Sequence, residues 1–165
     1  MRPGELDDDC MRSAESISAV ARESGLVIAC AESLTSGAIA CHLGAARDAT
    51  QWFAGGVVAY SSAVKYAVLG VERGPVVTAS CAAQMARGVA ELTGADFTVA
   101  VTGEAGPDAA EDTPVGTVFI GVHRRGQSDG EVRRLELDGS PEEIVGRTTL
   151  EALKALHAAT DHRRA

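Results

Sequence analysis

The chain has 165 residues, 45% of them hydrophobic and 23% charged, which fits one domain with an ordinary core and excludes a disordered polymer. Fifteen basic against 23 acidic side chains leave a net charge of −8, and only 4% of residues are aromatic, so the basic footprint and stacking platforms of a nucleic-acid binder are missing. The longest apolar runs, such as Leu26-Val-Ile-Ala-Cys-Ala31, fall far short of the roughly 20 residues that cross a bilayer, and no basic-then-apolar leader opens the chain; a cytoplasmic protein without membrane contact is expected.

Residues 1–12 read as a frayed or disordered terminus ahead of a single domain spanning 13–160. Met11, Ile17, Val20 and Ala21 recur at helical intervals, and Gly25 stops that helix. Leu26 to Ala31 is short, apolar and partly β-branched, a buried strand. A small polar loop, Ser33 to Gly37, leads into a second helix from Ala38 to Leu43. Trp52 to Tyr60 reads as a strand whose Gly55-Gly56 pair marks a bulge or a close backbone approach. A short helix from Ser61 to Leu69 closes at Gly70, and Thr78 caps a longer one that runs to Leu92. Phe97 to Val101 alternates as a strand and runs directly into Thr102-Gly-Glu-Ala-Gly-Pro107. Val115 to His123 and Val132 to Leu137 form two more strands around a turn. Ser140-Pro-Glu-Glu143 then offers an N-cap, a proline at the first helical position and a capping-box glutamate for a last helix reaching about His157. Strands alternating with helices, followed by a hairpin, imply a three-layer α/β/α sandwich around a mixed, mostly parallel sheet.

Ligands of open α/β sheets bind beyond the carboxyl ends of the strands. Three polar, glycine-containing segments lie there: Ala31-Glu-Ser-Leu-Thr-Ser-Gly37, Gly56-Val-Val-Ala-Tyr-Ser61 and the 102–107 loop. The first also opens a helix, whose amides and dipole suit an anion or an oxyanion. Familiar signatures fail. No phosphate-binding glycine loop is present, and Gly126-Gln-Ser-Asp-Gly130 sits in a turn between strands, where a nucleophile elbow does not form. His42, His123, His157 and His162 all lie outside the candidate loops, so a Ser-His pair is not expected. Cys10, Cys30, Cys41 and Cys81 show no metal spacing and read as reduced thiols, mostly buried; neither a metal nor an organic cofactor is expected. Any serine nucleophile would need a lysine or another group as its base, and only Lys65 and Lys154 exist.

Four segments in order, Ala31-Glu-Ser-Leu-Thr-Ser-Gly37, Gly55-Gly-Val-Val-Ala-Tyr-Ser61 with Lys65, Val101-Thr-Gly-Glu-Ala-Gly-Pro107 and Pro114-Val-Gly-Thr-Val118, resemble the CinA C-terminal-domain family over about residues 13–158. Members of that family include bacterial nicotinamide-nucleotide amidases. The resemblance implies hydrolysis of nicotinamide mononucleotide to nicotinate mononucleotide and ammonia, in a homodimer whose small-molecule partner is that pyridine mononucleotide. It implies Ser33 as nucleophile, Lys65 as its base and Tyr60 as an aid to orientation or proton transfer. Thr35, Ser36, Gly37, Thr102, Gly103, Ala105 and Gly106 would line the substrate site, and Arg147 would meet the nucleotide. Lys65 serves as a base only when neutral, so its pKa must fall from about 10.4 towards roughly 7–8.

Plainer readings stand beside these. Ser33 can be read as a helix cap alone, Tyr60 as a half-buried strand residue, Lys65 as a surface lysine and Arg147 as a partner for Glu143. Glu32 is either support behind the loop or a solvated charge. The chain also departs from the family pattern: Leu34-Thr-Ser-Gly37 stands where Cys-Thr-Gly-Gly is usual, Glu104 replaces an apolar residue, and residues 108–113 are acidic instead of glycine-rich. Those changes put negative charge near a presumed anionic substrate. A nucleotide-binding module without catalysis, or an amidase for another small amide, fits the same residues.

Overall fold

The computed structural model describes residues 3–109 and 112–161. In chain order its elements are α1 (Pro3–Ser24), β1 (Ile28–Glu32), α2 (Ala38–Ala45), β2 (Phe53–Val58), α3 (Ser62–Leu69), α4 (Ala79–Thr93), β3 (Phe97–Gly103), β4 (Thr117–Arg124), β5 (Glu131–Glu136) and α5 (Pro141–Asp161). One sheet holds all five strands in the order β2-β1-β3-β4-β5. Strands β2, β1 and β3 are mutually parallel, whereas β4 pairs antiparallel with both β3 and β5. Four strands therefore run one way. The reversed strand lies inside the sheet, because the tight 125–130 turn folds β5 back along β4 as the new edge.

Alternation along the strands sends side chains into two cores. Ile28, Cys30, Val99, Val101 and Ile120 pack under α1, α2 and α5, and Ala29, Ala31 and Ala100 pack under α3 and α4. The second face is built from small residues, which lets α4 lie close. A Cβ on Gly121 would stand 2.5 Å from the Ala82 carbonyl oxygen, and one on Gly88 would stand 2.0 Å from that of Leu69, where α4 crosses the end of α3.

Local signals account for most boundaries. Thr78 Oγ1 accepts the Cys81 amide at 3.0 Å and starts α4, and Gly94 ends it in the left-handed region at φ 70°. Ser140 and Glu143 form the expected reciprocal box, the Ser140 amide donating to Glu143 at 2.8 Å and the Glu143 amide to the Ser140 hydroxyl at 3.3 Å.

The N-terminus departs from expectation. Residues 3–12, read as frayed, are the first turns of α1, with Cys10 buried and Leu6 packed on the core. The run Asp7-Asp-Asp9 hides the stripe Leu6, Cys10, Ala14, Ile17 and Ala21 that faces α5. Leu6 lies over Gly146, where an added Cβ would come within 2.4 Å of it; α1 leads into β1 and α5 follows β5, which points the same way as β1, so the two helices run parallel. Residues 1–2 of that expected terminus lie outside the described residues.

Gly88→Ala is expected to destabilise the domain by about 1–3 kcal/mol, since the neighbouring group is main chain and cannot swing aside. Urea unfolding of the variant against the parent measures this.

Candidate active site

The carboxyl ends of β1 and β2 bring two polar side chains into contact. Ser33 directly follows β1, and Lys65 sits on α3, which Ser61 caps just after β2 through its hydroxyl and the Val64 amide. Lys65 and Leu69, one turn apart, form the buried face of α3, so the helix carries its lysine inward. Lys65 is 1% exposed and Ser33 8%. The Lys65 Nζ donates to Ser33 Oγ at 2.9 Å, to the Ala59 carbonyl at 2.8 Å and to the Tyr60 carbonyl at 3.2 Å.

This geometry suits both charge states of the amine. As an ammonium it donates to all three oxygens. As a neutral amine it keeps N–H bonds to the two carbonyls and turns its lone pair to the Ser33 hydroxyl, which then donates. A proton can pass between the two groups without repacking.

Behind Ser33 lies Glu32, fully buried at the end of β1. Its carboxylate accepts from Thr35 Oγ1 at 2.5 Å, from the Gly37 and Ile39 amides at 3.1 Å and from the Ala40 amide at 2.8 Å. Glu32 thus supplies the cap of α2, a helix whose preceding Gly37 makes no side-chain cap bond. Of the two readings left open for this residue, the solvated charge is excluded. The expected anion site at the start of α2 is corrected as well, since its amides already serve an internal carboxylate. The Ser36 amide donates to the Ser33 carbonyl and the Ala38 amide to that of Thr35. Among the described residues, the amides of Leu34 and Thr35 meet no acceptor. Cys30 is no rival nucleophile, because burial, and then the Glu32 charge, push its thiol well above the usual range.

The remaining expected site residues divide. Tyr60 reaches the amine through its main-chain carbonyl, while its side chain is 69% exposed; the expected phenol contribution is not built into the pair. Thr35 gives its hydroxyl proton to Glu32 instead of facing a ligand, and Thr102 turns its hydroxyl into the protein, onto the Val76 carbonyl at 2.7 Å. Gly103 is a packing glycine, with 2.7 Å from its would-be Cβ to the Thr117 carbonyl oxygen, and Gly106, at φ 81°, rests on Val115. Ala105 packs on the core. Arg147 donates to the Asp138 carbonyl at 3.2 Å. Ser36 is exposed and strained at φ 52°. Glu104, 7% exposed, has no hydrogen bond or ion pair to its carboxylate among the described residues. Ala59, whose carbonyl holds the amine, escaped the sequence reading, since a main-chain acceptor leaves no residue-type signal.

A family model for the CinA C-terminal domain matches residues 11–160. The chain belongs to the CinA C-terminal-domain family. Among relatives of this CinA domain, a protein of Bacillus subtilis named putative competence-damage inducible protein is 41% identical over 75% of the chain and 30% of its own length. A CinA-like protein of Rippkaea orientalis is 35% identical over 96% of the chain and 38% of its own length. The chain thus spans about a third of the length of the curated relatives it matches. The crystal structure of a competence-damaged protein (CinA) superfamily protein from Klebsiella pneumoniae superposes with a TM-score of 0.87 at 31% identity, covering 93% of this chain and 98% of that one. A competence/damage inducible protein from Agrobacterium tumefaciens gives 0.86 at 31% identity, covering 93% and 96%.

A left-handed serine costs about 1–2 kcal/mol, and glycine recovers that less about 0.5–1 kcal/mol of chain entropy. Ser36→Gly is therefore expected to raise the thermal midpoint of the CinA domain by a few degrees, as read by calorimetry.

Proposed function

We propose that this CinA domain is an amidohydrolase in which Ser33 attacks a carboxamide carbonyl and Lys65 handles the proton. The 2.9 Å contact between a serine hydroxyl and a fully buried lysine amine carries this reading. Lys65, entering as the neutral amine, takes the Ser33 proton as Oγ bonds to the carbonyl carbon. The resulting oxyanion is received by the amides of Leu34 and Thr35. The C–N bond then breaks, and the nitrogen leaves as ammonia with the proton Lys65 had taken. Water attacks the Ser33 ester, Lys65 accepts one of its protons, and the carboxylic acid departs as that proton returns to Ser33 Oγ, ionising afterwards by giving its remaining proton to solvent. The substrate we propose, on the family resemblance, is nicotinamide mononucleotide, turned over by a cytoplasmic homodimer.

Ammonia release from nicotinamide mononucleotide by the purified chain tests the reading. Ser33→Ala should reduce it to background, and Lys65→Met should lower kcat by about 10²–10⁴-fold, the usual worth of a positioned base. No release by folded protein would reject the substrate. Because the base must be neutral, kcat/KM should rise with pH along a single ionisation. An unchanged acid limb in Lys65→Met would reject the lysine as base.

Glu104 favours a second reading, an amide of different charge. A carboxylate just past the end of β3, its oxygens open to solvent, suits a cationic or neutral acyl group better than an anionic one. A panel of neutral, cationic and phosphate-bearing carboxamides separates the two readings by their kcat/KM ratios, and Glu104→Gln should shift the ratio away from the cationic members.

A further inference from the structure

We infer that Glu32 is a positioning residue for the reaction, holding Ser33 and Lys65 in mutual register without touching the substrate. The inference rests on the proposed roles of those two residues. They come from separate elements, one following β1 and the other on the helix after β2, and something must fix the distance between them. Glu32 does so twice. Its main-chain carbonyl accepts the Ala59 amide at 2.7 Å, and the Ala59 carbonyl in turn accepts from the Lys65 amine at 2.8 Å. Ser33 is the next residue along the chain from Glu32. One peptide step on one side and one hydrogen-bonded residue on the other therefore join nucleophile and base through Glu32.

The side chain fixes the rest. Oε2 gathers the Thr35 hydroxyl and the Gly37 and Ile39 amides, and Oε1 takes the Ala40 amide. The loop that leaves Ser33 cannot shift without breaking some of these four bonds, all of which are charge-assisted. The same bonds occupy the first amides of α2, so the oxyanion is directed to Leu34 and Thr35. A carboxamide cannot reproduce the arrangement: glutamine has one acceptor oxygen, and its NH2 would face at least one of the four donors. Aspartate keeps both oxygens but withdraws them by one methylene.

The test uses the whole chain with Glu32→Gln, Glu32→Asp and Thr35→Val, each checked for folding by circular dichroism and thermal melting. Reaction of Ser33 with a fluorophosphonate, followed by mass spectrometry at that residue, reports nucleophile and base alignment without needing the natural substrate. Steady-state kinetics on the amide that the parent hydrolyses adds the division between kcat and KM. Folded Glu32→Gln should label Ser33 about 10–100-fold more slowly, with kcat falling in parallel and KM held within about threefold, as expected when a catalytic pair is misplaced by an ångström. Glu32→Asp should recover part of that loss. Thr35→Val, which removes one donor and carries the test should both acidic-site variants fail to fold, should slow labelling by about 3–10-fold. Labelling at the parental rate in a folded Glu32→Gln or Thr35→Val protein overturns the inference while leaving the dyad intact. A parent chain in which Ser33 fails to label overturns the dyad reading and this inference with it.

Discussion

Lys65 ends a long aliphatic stem in a space nearly shut off from solvent, with a serine hydroxyl and two main-chain carbonyls among the neighbours of its amine. An ion placed there without acceptors would cost several kcal/mol, and the bond to Ser33 replaces part of the lost hydration. Much of the surrounding architecture reads as the means of meeting that constraint. The parallel strands β1 and β2 end side by side, their successor residues supply both the hydroxyl and the carbonyls, and α3 turns its lysine inward one turn beyond its cap.

The two faces of the sheet differ in how closely the helices approach them. Ala29, Ala31 and Ala100 keep the face under α3 and α4 thin, and Gly88 and Gly121 remove the last obstacles to close approach. The opposite face is thick, filled by branched side chains beneath α1, α2 and α5. Glu32 belongs to that thick side, whereas Ser33, one residue on, meets Lys65 from α3. The strand's two-residue period thus separates the Glu32 carboxylate from the Ser33–Lys65 contact, although Glu32 and Ser33 are adjacent in the chain.

Much of the fold could be read from the sequence because periodicity and caps agreed. Thr78, Ser140, Glu143, Gly70 and Gly94 stand where their chemistry requires, and each strand was found within a few residues of its bounds. Charge defeated periodicity at the start, where three aspartates masked the apolar stripe of α1. At the site, Ser33 was singled out by the family resemblance, whereas Lys65 also stood out as one of two lysines in the chain. The roles of Thr35, Thr102, Gly103 and Gly106 were not, since a residue that packs and a residue that binds share the same letter. Glu32 was undecidable because only a tertiary neighbour, the turned start of α2, reveals whether a carboxylate after a strand is wet or enclosed.

The parallel course of α1 and α5 has a consequence for longer architectures. Strand β5 points the same way as β1 and β2, so α5 sets out from the edge of the sheet where Ser33 lies, and Pro3, alongside its opening turns, emerges at that edge too. In a protein of the length of the curated relatives, any module joined ahead of α1 is tethered on the rim that carries Ser33, while one joined behind α5 leaves from the far side. An upstream fusion can therefore screen or feed that rim, and a downstream one stands clear of it.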